Sequence, residues 1–208
     1  MCYRIQLNTG IKEIAKRFNA HVPNAENLLF GEEINGFSYQ NCPIIINEDQ
    51  GNIRDDFSWG LIPQWCKDET IRKNTLNAKI ETLDEKPAFR NAVHNRCLVI
   101  ATGYYEWRWN DEKGKTKQKF EIHSADEEIF AFAGIYSSWN DTSEKIIRNT
   151  FSIVTTEANE QMAYIHNNKK RMPVMLRKSD EMAWLNNEIP FRQFSYPNYN
   201  ADIIAFTV

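Results

Sequence analysis

With 208 residues, 42% of them hydrophobic and 25% charged, the chain can bury a core as one domain over 1–208 without disulfide staples. No apolar run is long enough for a membrane span, and no signal-peptide core follows Met1-Cys2-Tyr3-Arg4, so the expectation is a cytoplasmic protein with no membrane partner. A net charge of −3 argues against indiscriminate coating of nucleic acid.

In chain order, Ile11, Ile14, Ala15 and Phe18 fall at helical spacing and predict a short amphipathic helix over 10–18. An irregular stretch rich in Asn, Glu and Gly follows. Residues 42–46 read as a strand opened by Pro43, 56–61 as another, and 87–94 as a short helix with proline in its first turn. Residues 96–101 read as a buried strand; 104–109 and 117–123 flank a polar turn and read as a hairpin; 129–138 and 150–155 are further strands. Helices are expected over 157–165 and 179–186, the second capped by Ser179 with Met182 and Leu185 facing inward, and a strand over 203–206 closes the chain. The sum is an α+β fold: a β-rich single domain with curled, barrel-like sheets and short peripheral helices.

Charge is unevenly spread. Residues 26–56 hold seven acids and one base, whereas Arg72, Lys73, Lys79, Lys86, Arg90 and Arg96 lie among three acids. Lys169, Lys170, Arg171, Arg177 and Lys178 form a second basic segment. The two segments either converge into a groove for a phosphate backbone or remain solvated faces.

The cysteines, at 2, 42, 66 and 97, show neither CxxC nor zinc spacing, so no metal or cofactor is expected. Reduced thiols are expected, with Cys97 in the core. Cys2 differs by its address. Removal of Met1 would expose an α-amine whose pKa is about 7.7–8.0 next to a thiol, which a cation such as Arg4 would make more acidic. The amine can attack an aldehyde to give a Schiff base, and the thiol can then close onto the imine as a thiazolidine.

On a strand, Asn77, Lys79 and Glu81 would share one face, as an exposed polar face or a working one. Glu106 lies between aromatics, sharing a face with Tyr104 while Tyr105 and Trp107 point away; an aromatic surround favours a protonated carboxyl suited to acid–base work. His166, between an apolar helix and Lys169-Lys170-Arg171, reads as a general acid–base or as a loop histidine. His21, His94 and His123 read as structural. Trp59 suits the core; Trp65 suits base stacking.

The order of the motifs is more specific than any one of them. Met1-Cys2-x-Arg4, Trp59-Gly60-Leu61-Ile62-Pro63-x-Trp65, Asn77-Ala78-Lys79-x-Glu81-Thr82, Lys86-Pro87-x-Phe89-Arg90, Gly103-Tyr104-Tyr105-Glu106-Trp107, Thr155-Thr156, and Ile165-His166 before Arg171-Met172-Pro173 follow one another. This series resembles the SOS response-associated peptidase (SRAP) family, whose members shield abasic sites in single-stranded DNA. The resemblance implies that Cys2 forms the thiazolidine with the ring-opened abasic sugar, that Asn77 positions the N-terminal residue and the sugar, and that Glu106 and His166 move protons. It implies that Arg4, Lys79, Thr155 and Arg171 hold phosphates, that Arg90 joins them at the DNA, and that Trp65 stacks near the kinked strand. Autoproteolytic release of the leading peptide by Cys2, and lyase-type action on the abasic site, are implied as well.

Three departures stand out. Tyr3 takes the place of the usual Gly and narrows the approach to Cys2; segment 36–43 replaces the usual Tyr-Asn-x-x-Pro; and two extra residues precede Arg171. The expectation is a monomer that captures abasic single-stranded DNA covalently. The alternatives are a cysteine peptidase or amidohydrolase using Cys2, and a non-covalent single-strand binder.

Overall fold

The structure, a computed structural model, describes residues 2–23 and 33–208. Part of the irregular stretch expected after the first helix lies outside these residues. The strands in chain order are β1 (Arg4–Gln6), β2 (Glu33–Asn35), β3 (Asn41–Ile46), β4 (Asp49–Trp59), β5 (Asn77–Lys79), β6 (Arg96–Ala101) and β7 (Gly103–Trp109). β8 (Lys117–Ser124), β9 (Phe130–Asp141), β10 (Ile146–Glu157), β11 (Arg171–Pro173), β12 (Met175–Leu176) and β13 (Ile203–Thr207) complete them. The helices are α1 (Ile11–Phe18), α2 (Glu160–Ile165) and α3 (Glu181–Leu185).

The run over β6 is buried at every position, as a strand covered on both faces must be. It pairs with β3 on one side and β9 on the other. β9 pairs with β10, β10 with β4, and β4 with β3, so five strands close into a barrel that leaves no edge in this ring. β6 side chains crowd β9 at Gly134, where a Cβ would lie 2.6 Å from Cys97 Sγ and 2.8 Å from Val99 Cγ2. A larger residue there would have to displace those two side chains. A second sheet, ordered β13-β8-β7-β1-β2, packs on the barrel through contacts such as Tyr104 against Phe132, an edge-on ring pair at 5.5 Å.

One feature of the barrel positions the site. β4 pairs in parallel with the first half of β10 as far as Trp59↔Phe151, and β5 takes over the same flank at Ile153↔Asn77. Between them the chain leaves at Gly60, whose φ of +108° suits glycine, and bulges outward as the loop that carries Trp65. On the other flank of β10, β11 pairs antiparallel from Thr155↔Pro173 to Glu157↔Arg171.

Several boundaries differ from the sequence expectations. β4 starts at Asp49, before the expected residue 56, because its opening polar residues 49–52 are half-buried or exposed and give no apolar pattern. Residues 87–94 hold only a 3-10 turn at Arg90–Ala92. Glu81 sits in the 3-10 turn Ile80–Thr82 and so leaves the face of Asn77 and Lys79; of those two, Asn77 is buried and Lys79 is exposed. Ser179 lies in a 3-10 turn and Asp180 takes the cap position of α3. Met182 points to solvent at 46% exposure, and Trp184 is buried instead, alongside Leu185.

Candidate functional site

The strict alternation along β7 puts Tyr104, Glu106 and Arg108 on one face, and α2 lies across that face. Three contacts tie them in register. Tyr104 Oη donates to Met162 Sδ at 3.4 Å, Glu106 Oε2 lies 4.0 Å from His166 Nε2, and the Arg108 guanidinium stacks 3.8 Å from the Tyr164 ring while donating to its carbonyl. Asn159 starts α2 by accepting from Met162 N–H at 2.8 Å. His166 terminates it as the C-cap residue. The following turn is clamped by Asn167, whose side chain accepts from Trp109 N–H at 3.0 Å and donates to Trp109 O at 2.9 Å. The segment holding the two extra residues therefore fixes His166 against the strand that carries Glu106.

His166 Nδ1 lies 2.8 Å from the Arg171 carbonyl and 3.3 Å from the Arg171 N–H nitrogen, so the ring is anchored to the Arg171 backbone through Nδ1 and Nε2 faces Glu106. Burial lowers the imidazole pKa, with the nearby Glu106 charge opposing it. The neutral ring is thus the resting form at neutral pH.

β1 runs antiparallel to β7 from Ile5↔Tyr104, which carries the N-terminal residues towards Glu106. Cys2 is fully buried, and its carbonyl accepts from Asn77 Nδ2 at 2.8 Å. Asn77 Oδ1 is buried with no partner, an acceptor left over at the same point. Burial pushes the Cys2 thiol well up, and the Glu106 charge adds to this. The expectation that Arg4 makes the thiol more acidic is therefore corrected. The Arg4 guanidinium is engaged elsewhere, paired with Glu33 and lying 5.7 Å from the Trp107 ring centroid.

The structure thus brings Cys2, Asn77, Glu106 and His166 to one corner, from β1, β5, β7 and the end of α2. Tyr104 belongs there too: it is buried, and burial together with the Cys2 and Glu106 charges raises its phenol pKa. Nothing in the sequence pattern alone marks Tyr104 as functional, although the alternation of β7 places it on the face of Glu106.

The residues expected at DNA divide into two groups. Lys79, Lys86 and Arg90 are exposed, and Trp65 is 55% exposed with its indole N–H donating to Pro87 O at 3.1 Å. Asn77, Lys79, Lys86 and Pro87 line one open groove, and Trp65 reaches its rim through the bond to Pro87. Thr155 and Arg171 are placed differently. Thr155 is fully buried with its hydroxyl donating to Ala78 O at 3.4 Å. Arg171 is buried and donates to both Glu81 oxygens, at 2.9 and 2.8 Å, and to Thr155 O at 2.8 Å. Burial opposes ionisation of Glu81, but these Arg171 bonds win and lower its pKa. Neither residue presents a phosphate-binding group at the surface.

Arg72 and Arg96, from the first basic segment, are also internal. Arg72 donates to Ser58 Oγ and Trp59 O, and Arg96 to the carbonyls of Trp184 and Ile189, with burial lowering the Arg96 pKa to about 10. Among the described residues no cluster of three His, Cys, Asp or Glu side chains could hold a metal ion, and no helix is long and apolar enough to cross a membrane.

A buried cysteine near the start of the chain, held by an asparagine beside a carboxylate–imidazole pair on a closed barrel, marks a class of protein, and sequence comparison gives that class its name. The chain belongs to the SOS response associated peptidase (SRAP) family, whose sequence profile matches residues 1–198. It is 40% identical over 189 residues to the abasic site processing protein YoqW of Bacillus subtilis, covering 89% of this chain and 80% of that one. It is 30% identical over 176 residues to the abasic site processing protein HMCES of Gallus gallus, covering 73% of this chain and 51% of that longer protein. A crystal structure of a Bacteroides thetaiotaomicron protein superposes with a TM-score of 0.88 at 33% identity, over 100% of this chain and 92% of the other. A Bordetella bronchiseptica protein shares the fold at a TM-score of 0.80 and 20% identity, over 100% and 99%.

Proposed function

We propose that the chain processes abasic sites in single-stranded DNA by forming a thiazolidine between the ring-opened sugar and Cys2, after Met1 is removed. The reading is supported by the names of its relatives and by one observation above all: the Asn77 amide holds the Cys2 carbonyl at 2.8 Å in the corner that contains Glu106 and His166.

The chemistry follows in two steps. The freed α-amine, a substantial fraction of it neutral near pH 7.5, adds to the sugar aldehyde, and loss of water leaves a Schiff base. The Cys2 sulfur then bonds to the imine carbon while the thiol proton ends on the nitrogen, closing the ring. Burial keeps the thiol protonated at rest, so closure needs a base at the moment of reaction. Glu106 is the carboxylate whose charge already reaches the sulfur. Neutral His166, facing Glu106, relays the proton that dehydration of the first adduct requires. Asn77 Oδ1, the unpaired buried acceptor, suits the freed amine or a sugar hydroxyl. The lysines on the groove rim and Trp65 hold the flanking strand by phosphate contact and stacking.

A thiol held protonated by burial fits amine-first capture better than thiolate attack on a peptide bond, which weighs against the peptidase alternative. The test is incubation with abasic single-stranded DNA followed by heat and a denaturing gel. A heat-stable adduct is expected from the native chain and none from Cys2→Ala. Absence of the adduct from Met-processed protein contradicts the proposal.

A further inference from the structure

Tyr3 and the segment from Gly36 are two departures from the family's sequence pattern, and the fold puts them together. Their rings meet as a tilted pair: the centroids of Tyr3 and Phe37 are 4.9 Å apart with planes inclined by 39°. Gly36 N–H donates to Tyr3 O at 2.8 Å, and the β1–β2 ladder ends beside it at Arg4↔Asn35.

The turn that carries Phe37 is pinned from every side. Asn35 Oδ1 accepts from Phe37 N–H at 3.1 Å, and Ser38 Oγ donates to Asn35 O at 2.6 Å. A Cβ on Gly36 would lie 3.2 Å from the buried Trp59 ring, so the turn rests directly on the core. Tyr39 follows in the left-handed region at φ 53°, its ring 4.2 Å from the buried Arg72 guanidinium. Yet the Phe37 ring is 51% exposed. A large apolar face held rigidly towards water is pre-organised for a flat apolar ligand, because little freedom remains to be lost on binding.

Its address decides which ligand. Tyr3 is the residue next to Cys2, whose carbonyl Asn77 holds at 2.8 Å. The tilted pair therefore borders the capture corner. A strand that has lost one base presents, on each side of the gap, a neighbouring base with an uncovered face, and aromatic rings cover such faces whatever the base.

We propose that Phe37, backed by Tyr3, is the stacking platform for a base adjoining the abasic sugar, and so a DNA-positioning residue of the capture reaction. The proposal rests on the abasic-site reading above. It is distinct from the Trp65 contact, whose indole N–H meets Pro87 on the rim of the groove lined by Asn77 and Lys79.

The test uses single strands carrying an abasic site with 2-aminopurine, a base whose fluorescence falls on stacking, as its 5′ or its 3′ neighbour. The native chain is expected to quench one of the two on binding, and Phe37→Ala to lose that quenching while Phe37→Tyr retains it. Half-saturation for adduct formation should rise about 5- to 10-fold in Phe37→Ala, with the rate at saturating DNA within about two-fold. Phe37 is exposed, so the substitution leaves the core intact. Quenching by Phe37→Ala equal to that of the native chain on both sides overturns the proposal, whatever the affinity does. An adduct that forms with no dependence on Phe37 sinks this inference alone; no adduct with any variant sinks the abasic-site reading, and this inference with it.

Discussion

On one flank of β10, β5 ends in Asn77 and Lys79 beside an open groove; on the other, β11 begins with Arg171 sealed under Glu81 and Thr155. Both flanks come from segments rich in lysine and arginine, and both lie next to the same strand end. One offers cations to solvent and the other spends its arginine as a strut. The lesson is that charge along a chain counts candidates and burial selects among them. An arginine with its donors directed at carbonyls and a carboxylate holds the barrel together. A lysine on the rim is what a phosphate can reach.

The comparison can be broken or sharpened at four points. The largest effect is expected at the corner where the flanks meet: Glu106→Gln should slow adduct formation by about 10²–10³-fold, read in single-turnover capture at saturating DNA. Asn77→Ala, which removes the bond to the Cys2 carbonyl, should slow it by about 10-fold or more at a cost of about 1–2 kcal/mol in unfolding free energy. Next comes the sealed flank. Arg171→Met leaves Glu81 without its bidentate partner and should cost about 1–2 kcal/mol in denaturant unfolding; Glu81 is a third exposed, which keeps the loss below that of a fully buried pair.

Lys79→Ala on the open flank should do the reverse. Stability should stay within about 0.5 kcal/mol, while DNA affinity falls and the salt dependence of binding loses about 0.7 in log–log slope. If Lys79→Ala destabilises and Arg171→Met only weakens DNA binding, the two flanks have been assigned the wrong way round.

The smallest effect is in pH. His166 is buried with its pKa lowered from 6.5, so its contribution to stability is fully present above 6.5 and is lost as pH falls through the lowered value. The buried Cys42 and Cys97 thiols are raised from 9.0; their contribution is full below 9.0 and is lost as pH rises towards the raised values. Thermal unfolding across this range should show a plateau between the two limits, with His166→Gln flattening the acid side.

Much of the fold is legible in residue patterns. The hairpin of β7 and β8 follows from alternation around a polar turn, and β6 from an unbroken apolar run. The opening of β4 is not, because its polar residues 49–52 are half-buried or exposed and carry no apolar signal. In the site, Cys2 stands out by address and Glu106 by its aromatic neighbours. What one segment cannot disclose is what another will bring to it. The clamp of Asn167 on Trp109, the burial of Thr155 and the internal roles of Arg72, Arg96 and Arg171 are all tertiary. The tilted contact of Tyr3 with Phe37 is the same kind of fact: two oddities of sequence that become one surface only on folding.

The central claim is covalent capture by Cys2, and intact-protein mass spectrometry with and without abasic single-stranded DNA tests it most directly. The account predicts a chain lighter by Met1 and, with DNA, a heat-stable species equal to the sum of protein and strand less one water. A chain that has lost Met1 yet shows only its own mass after incubation and heating would contradict it.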